Sequence, residues 1–532
     1  MSSSGGWWRK KAATYEPMES KAKGVTGAIQ SSSATTLGVV ILLFALVLLV
    51  AWISVQRMDG TTFSTITSWS SSSQTSSSHS HHSKPITLTC PNHTNTPFRC
   101  PAMQSSSPSP SPSPSPSPSL PTFTGSSEPP PSCPDYFRWI HEDLRPWKST
   151  GITRDAVEGA QKFAAFRLLV IDGRLYVEQY HRVFQTRDLF TLWGFVQLAN
   201  RYPGRLPDLD LMFNCEDLPT VKAADYAASG SPPVPPLFRY CKDDTTVDIV
   251  FPDWSFWGWP EINIKPWEKL SEEMRRANQR TKWKKRKPYA YWKGNPGVSG
   301  HRQDLIKCNP SNGHYWNARV FAQDWEKEAK NGFKESNLAE QCIYRYKIFV
   351  EGRAWSVSEK YTLACDSPAL FVTTHFYDFM TRGLIPGLHY WPIRENHQCK
   401  SIKFAVDWGN KHQNKVQAIG KQGSSFVLEE VKMDYVYQYM LHLLIEYAKL
   451  LRYKPTLPEK AVELCLESLA CGEQGRVKEF LLESMVKWTS DAEPCTLPPP
   501  YTEGELEELR LRKANAIKQV EKWEEETWDK GS

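Results

Sequence analysis

The sequence predicts an α/β globular body carried on a membrane anchor and a disordered stalk, and three observations carry that prediction. An uncharged apolar run occupies residues 37–55, a Ser/Pro-rich tract follows it, and beyond residue 133 strand-like runs alternate with segments of helical period. The apolar run reads LGVVILLFALVLLVAWISV; at the rise of a helix it is about 28 Å long, enough to cross a hydrocarbon core. A cleaved signal peptide has a shorter apolar stretch and a small-residue cleavage site, so a signal anchor is the better match. Arg9, Lys10, Lys11, Lys21 and Lys23 precede the run, whereas Arg57 is the only basic residue after it until Lys84. The positive-inside rule then leaves 1–36 as a cytosolic tail and makes the chain a single-pass type II protein. The rest, with all 12 cysteines, is expected in an oxidising lumen where disulfides form and glycans are added.

Residues 56–132 are the expected stalk. They are rich in Ser, Thr, His and Pro, with a Ser-Pro ladder from Ser107 to Ser119, and cannot bury enough apolar surface to offset the entropy of ordering. Asn92-His93-Thr94 is the one usable N-glycosylation sequon. His79, His81 and His82 lack a second ligand cluster and are expected to be solvated. The formal charge of +6 is the balance of 64 basic and 58 acidic residues, which implies no nucleic-acid partner. The 21 tryptophans, 21 tyrosines and 23 phenylalanines exceed what a core needs and hint at ring faces for sugars.

In the ordered body, Phe166–Ile171 and 175–180 form two strand-like runs joined by Asp172-Gly173, a hairpin signal. Further strands are expected at Leu209–Phe213, 246–251, 289–292, 347–350 and Ala369–Val372. Helical patterns cover 414–423 and 435–451, the second with Val436, Tyr439, Met440, Leu443 and Leu444 on one face. The basic run 282–287 is read as a solvated helix face. A charged helix at 503–526 is expected as an outer flange whose Leu506, Leu509 and Ile517 are available to a partner. The domains expected are 133–288, 289–455 and a C-terminal helical extension at 456–532.

Ligand chemistry in α/β folds gathers at the carboxyl ends of strands, and four places qualify. The strand 209–213 runs into Glu216 and Asp217 ahead of Pro219; Asp217 either accepts a proton from an attacking hydroxyl or caps a turn. Asp208 and Asp210 also form an Asp-x-Asp pattern of the kind that holds a metal on a nucleotide, but here it precedes the strand end. The second place is the loop Gly294-Asn295-Pro296-Gly297-Val298-Ser299-Gly300, which opens a helix carrying Arg302 and suits a phosphate. The third, Arg353-Ala354-Trp355-Ser356-Val357-Ser358 with Lys360 beyond it, leads from a strand to a helix start where Ser356 or Ser358 caps the helix and free amides meet an anion. The fourth is aromatic, Trp254 to Trp259 followed by Ile264, Lys265 and Trp267, either core or contact for a sugar or base.

Taken together these segments resemble the Rumi-type protein O-glucosyltransferases and capsule-associated-protein relatives of glycosyltransferase family 90. The likeness runs from Cys133 to Tyr453 and includes Ile140-His141-Glu142-Asp143-Leu144, Gly204-Arg205-Leu206-Pro207-Asp208, Phe256-Trp257, Lys293-Gly294, Gly423-Ser424 and Met433-Asp434. The resemblance implies a GT-B pair of Rossmann-type domains facing across a cleft, and an inverting transfer of glucose or a related sugar without a bound metal or other cofactor. It makes Asp217 the catalytic base. UDP-sugar contacts are implied for Ile264, Lys265, Gly294, Asn295, Arg302, Arg353, Ala354, Trp355, Ser356, Val357, Ser358 and Lys360. Acceptor contacts are implied for Phe184 and Arg187, although the cysteines that flank this region in the family are absent. Ser358 stands where the family turn ends in Arg, which leaves Arg353 or Lys360 to replace that cation, and Glu216 stands where Rumi has Arg. A disulfide between Cys342 and Cys365 is implied as well, because their separation of 23 residues equals that of a bridged pair in the family.

The expected partners are a UDP-sugar, a protein or glycan acceptor and the membrane. The chain ends Asp529-Lys530-Gly531-Ser532 without an ER-retrieval tetrapeptide, so the Golgi membrane is expected ahead of the ER. Two alternatives stay open: a UDP-xylose-dependent polysaccharide xylosyltransferase, and a catalytically silent, membrane-tethered sugar-binding protein.

Overall fold

The structure, a computed structural model, describes residues 84–90, 100–101, 130–311 and 313–529. The anchor at 37–55, the tail before it, His79 to His82, Asn92 and most of the stalk lie outside the described residues. Among the described residues no helix is long and apolar enough to cross a membrane.

Two sheets organise the body. The first has six strands: β1 (Phe166–Ile171), β2 (Arg174–Gln179), β3 (Leu209–Phe213), β4 (Leu237–Arg239), β5 (Ile249–Val250) and, returning from the far end of the chain, β11 (Val462–Leu464). Its order is β11-β2-β1-β3-β4-β5, antiparallel from β11 to β3 and parallel from β3 to β5. Asp172 and Gly173 both take positive φ, 50° and 75°, the backbone of a two-residue hairpin turn that matches strand twist. β3 is buried along its whole length, as a central strand covered on both faces must be. Its one charged residue, Asp210, is neutralised by Arg167 of β1 through two bonds of 2.7 and 2.6 Å and by the Tyr453 hydroxyl at 2.8 Å. The second aspartate of the Asp-x-Asp pattern therefore belongs to the core. Asp208 accepts from the backbone N–H of Asp172 at the hairpin.

The second sheet has five parallel strands in the order β10-β9-β8-β6-β7, namely β6 (Lys287–Gly294), β7 (Ala318–Ala322), β8 (Tyr344–Phe349), β9 (Ala369–Val372) and β10 (Trp391–Ile393). The helices that matter below are α1 (Arg187–Arg201), α2 (Trp267–Arg280), α3 (Gly300–Ile306), α4 (Ser358–Leu363), α5 (Gln398–Lys411), α6 (Gln413–Ser425), α7 (Met433–Leu450) and α8 (Glu503–Asp529). α6 runs on into a π-helical turn, Phe426–Glu430. The α/β class expected from the sequence is present as a mixed fold with parallel strands.

Several expectations are corrected. The run 246–251 shrinks to β5 because the Asp248 carboxylate accepts from the backbone N–H groups of Thr220 and Val221, and Val247 N donates to Val221 O, so residues 246–248 pair with a loop. The basic run 282–287 is a single 3-10 turn, Trp283–Lys285, entering β6. Its Arg286 is buried and donates to Cys365 O and, at 2.8 Å, to Ser367 Oγ.

The extension 456–532 is shared between the sheets, with β11 on the edge of the first and α8 on the second. In α8, Trp523 stacks on Trp408 of α5 at 5.6 Å, Val520 and Glu524 are buried, and Arg394 binds Glu524 at 2.8 Å. Leu506, Leu509 and Ile517 line grooves against the chain's own body. α7 crosses back to the first sheet, where the Tyr447 hydroxyl donates to Asp210 O at 2.9 Å and its ring meets Phe238. Part of the expected stalk is also fastened down. Ile86 N donates to Lys487 O, and disulfides join Cys90 to Cys471 and Cys100 to Cys465.

Candidate active site

A cavity of about 650 Å³ receives loops from the carboxyl ends of both sheets. Asp217 comes from the loop after β3 and Arg187 from the first residue of α1. Arg187 is buried, and its Nη1 donates to Asp217 Oδ1 at 2.8 Å and to Cys215 O at 3.1 Å. The guanidinium lies over the Trp254 ring at 4.4 Å and the Phe184 ring at 5.3 Å. Held on three sides, Arg187 fixes one carboxylate oxygen, while Asp217 keeps a third of its side-chain surface open. Phe184 stands at the mouth, 60% exposed. Glu216 is exposed and lies outside the cavity lining, so the two neighbouring carboxylates do not share the site.

From the second sheet, Gly294 ends β6 with its Cα close to the Trp292 indole. A Cβ there would come within 2.5 Å of the ring. Asn295 Oδ1 accepts from Gly297 N at 2.8 Å and shapes the loop, and Ser299 caps α3 by accepting from Arg302 N. Arg302 is half-buried and points back under this loop. Its guanidinium donates to Glu351 O at 2.9 Å, Asn295 O at 3.3 Å, Val350 O at 3.4 Å and Ser356 Oγ at 3.1 Å. These acceptors are uncharged, and burial pulls the guanidinium down to about 10. A cation held only by dipoles keeps its charge available to an anion.

The turn after β8 closes the floor. Ser356 Oγ also accepts from Ser358 N at 3.4 Å and shares a hydrogen bond of 2.9 Å with Ser358 Oγ; the residue preceding α4 is Val357, and neither serine caps the helix with its side chain, contrary to the expectation. Arg353, Trp355, Ser356, Val357, Ser358 and Ile264 all line the cavity. Arg353 is exposed and makes no hydrogen bond or ion pair with the described residues. The disulfide Cys342–Cys365 brackets this turn, joining the segment before β8 to the end of α4.

Three predicted contacts fall elsewhere. Ala354 is buried in the core. Lys265 turns to Glu273 at 2.6 Å. Lys360 is 2% exposed, donates to Ser255 Oγ at 2.6 Å and faces Asp253 at 3.6 Å, so it stitches the two halves together; of the two cations expected to replace the family arginine, Arg353 alone lines the cavity. The aromatic motif divides in the same way: Trp254 and Trp259 reach the cavity, whereas Trp257 and Trp267 are core, donating to Tyr437 Oη and Val431 O. Sequence reasoning missed Gln323, Ser336 and Gln341, which complete one wall. β7 escaped recognition, and Gln323 marks its carboxyl end, where its N–H donates to Gly294 O at 2.7 Å.

Comparison with known proteins identifies a family. The model of glycosyl transferase family 90 matches residues 128–524. Protein O-glucosyltransferase 1 of Bos taurus is 28% identical over 339 residues, 61% of this chain and 83% of that protein. O-glucosyltransferase rumi of Drosophila melanogaster is 26% identical over 341 residues, 62% and 80% of the two chains. Protein O-glucosyltransferase 1 of Homo sapiens is 27% identical over 338 residues, 61% and 82%. Since the match extends through both sheets, the cavity loops between them and most of α8, the chain belongs to glycosyl transferase family 90.

Proposed function

We propose that the chain transfers glucose, or a related sugar, from a UDP-sugar to a hydroxyl of a protein or glycan acceptor, with inversion at the anomeric carbon. One observation carries this reading: a single cavity holds an arginine-anchored carboxylate on one side and a guanidinium bonded only to uncharged acceptors on the other. Its volume suits a ligand of nucleotide-sugar size. Trp254, Trp259 and Trp355 line its wall and offer aromatic surface to a sugar.

In this mechanism the free oxygen of Asp217 takes the acceptor proton as the acceptor oxygen bonds to the anomeric carbon. The bond from that carbon to the UDP oxygen breaks, and its electron pair leaves with the diphosphate, which Arg302 and Arg353 stabilise. Arg187 is a positioning residue that orients the base. Asp208 and Asp210 are committed to the first sheet, so charge stabilisation at the diphosphate falls to the arginines. The reading includes a GT-B arrangement of the two halves and a type II anchor at 37–55 with the body in the Golgi lumen. The apolar run and the basic residues before it support the anchor, and five disulfides suit an oxidising compartment.

The test is UDP release by the purified chain across a panel of UDP-sugars including UDP-glucose and UDP-xylose, repeated with Asp217→Asn. The variant should keep UDP affinity and lose transfer by at least about 10²-fold, the usual worth of a general base. Near-normal transfer by Asp217→Asn would remove the base assignment.

A further inference from the structure

We propose that His301, His375 and Glu395 form a binding site for one divalent transition-metal ion, Zn²⁺ by ligand class, placed behind the donor floor. The residues follow the carboxyl ends of three strands of the second sheet: His301 from α3 after β6, His375 after β9 and Glu395 after β10. Their ligand atoms all lie within 4.8 Å of one another. Glu395 Oε2 sits 3.4 Å from His375 Nε2 and 3.9 Å from His301 Nε2. Neighbouring ligands of a tetrahedral Zn²⁺, bonded at 2.0–2.2 Å, stand roughly 3.3 Å apart. One edge fits as it stands, and the others close by a small movement of His301, whose side chain is 43% exposed.

Two further observations point to a cation. Glu395 Oε2 is sealed from solvent yet makes no hydrogen bond, an unsatisfied state that native structures seldom leave without an ion or water. His375 also carries a carboxylate on its far side. Glu351, 6% exposed in its side chain, places Oε2 3.4 Å from His375 Nδ1 and fixes Oε1 with the backbone N–H groups of His375 and Phe376 at 2.8 and 2.7 Å. When His375 Nδ1–H donates to Glu351, a cation bound at Nε2 would lie between that nitrogen and the Glu395 carboxylate. A carboxylate behind a ligating histidine is the usual outer support of a zinc site. Two His nitrogens and one carboxylate oxygen select Zn²⁺ over Mg²⁺ or Ca²⁺, and leave a fourth position for water. Among the described residues the other three-residue cluster of metal-ligating types, Cys133, His442 and Cys495, is excluded because its cysteines form a disulfide.

The ion would not touch the donor. Its work is to tie together the loops on which Arg302 rests, because Glu351 braces His375 with its side chain and accepts from Arg302 Nε with its carbonyl. The full-length chain, stripped with a chelator, is titrated with Zn²⁺ against a chromophoric competitor. One high-affinity equivalent is expected, weakened at least tenfold by His375→Gln or Glu395→Gln and roughly 10- to 100-fold by Glu351→Gln. His301→Asn, at a half-buried position whose side chain makes no hydrogen bond with the described residues, provides a variant whose thermal midpoint in chelator should match the parent. A variant with His79, His81 and His82 all changed to Ala should bind as the parent does. Equal Zn²⁺ affinity in the parent, His301→Asn and His375→Gln, or loss of binding only in the His79, His81 and His82 variant, would overturn the site.

Discussion

Replacing Arg302 with alanine separates donor binding from folding, because the structure assigns the guanidinium opposing contributions. Removing it loses four hydrogen bonds, to Glu351 O, Asn295 O, Val350 O and Ser356 Oγ. At a net worth of about 0.5–1.5 kcal/mol each, and with cavity water able to reach the vacated acceptors, the cost is roughly 2–4 kcal/mol. Against this, the free protein holds a half-buried cation without a carboxylate, and the fall from 12.5 to about 10 corresponds to about 3 kcal/mol of burial cost that alanine relieves. The two nearly cancel, so the thermal midpoint should move by only a few degrees. The affinity for UDP has no such offset. Loss of one charge-assisted contact to the diphosphate costs about 1.5–3 kcal/mol, a weakening of roughly 10- to 150-fold. Titration calorimetry with UDP, beside thermal unfolding of the same preparation, reads both quantities. Unchanged UDP affinity with an unchanged midpoint would refute the placement of the phosphates.

Two further outcomes follow from buried groups. Cys342→Ala with Cys365→Ala opens a loop of 23 residues and should cost about 3 kcal/mol in the chain-entropy model; peptide mapping of the unreduced parent should recover Cys342 joined to Cys365, and alkylation of both without reduction would contradict the bridge. Lys347 is buried with Gln341 Oε1 as its hydrogen-bond partner at 2.6 Å, and burial pulls it down to about 7. Between that value and the unfolded one near 10.4, the unfolded chain holds a proton that the folded chain has released, so stability rises with pH across this window. Lys347→Met should flatten that rise and stabilise the protein at pH 7 by about 3 kcal/mol. Denaturant titrations at pH 7 and 9 showing the same increment in parent and variant would count against this account.

What the sequence revealed depended on how local the determining forces are. The hairpin at Asp172-Gly173, β3, β9, α6 and α7 are legible because turn chemistry and apolar period act within a dozen residues. β4, β7, β10 and β11 are not. Each is fixed by the neighbours it pairs with more than by its own composition. The site shows the same division. Asp217, Arg302 and, apart from the buried Ala354, the turn 353–358 lie next to strand ends that sequence patterns locate, and they reach the cavity. Lys265 and Lys360 lie in the same motifs but are diverted, Lys265 to Glu273 of α2 and Lys360 to Asp253 and Ser255 far back in the chain. Nothing in the local sequence says that Lys360 meets Asp253, 107 positions earlier in the chain.

Those distant contacts also explain why the C-terminal segment resists a reading as an appendage. The disulfides Cys90–Cys471, Cys100–Cys465 and Cys133–Cys495 span 381, 365 and 362 positions, so the residues before the body and the segment after α7 are closed on each other. β11 then supplies the outer strand of the first sheet, and α8 covers the second with Trp523 and Glu524. Each half thus completes its core with chain that lies beyond the other half. A truncation before residue 460 would strip an edge from one sheet and a layer from the other, although every residue assigned to the proposed reaction would remain.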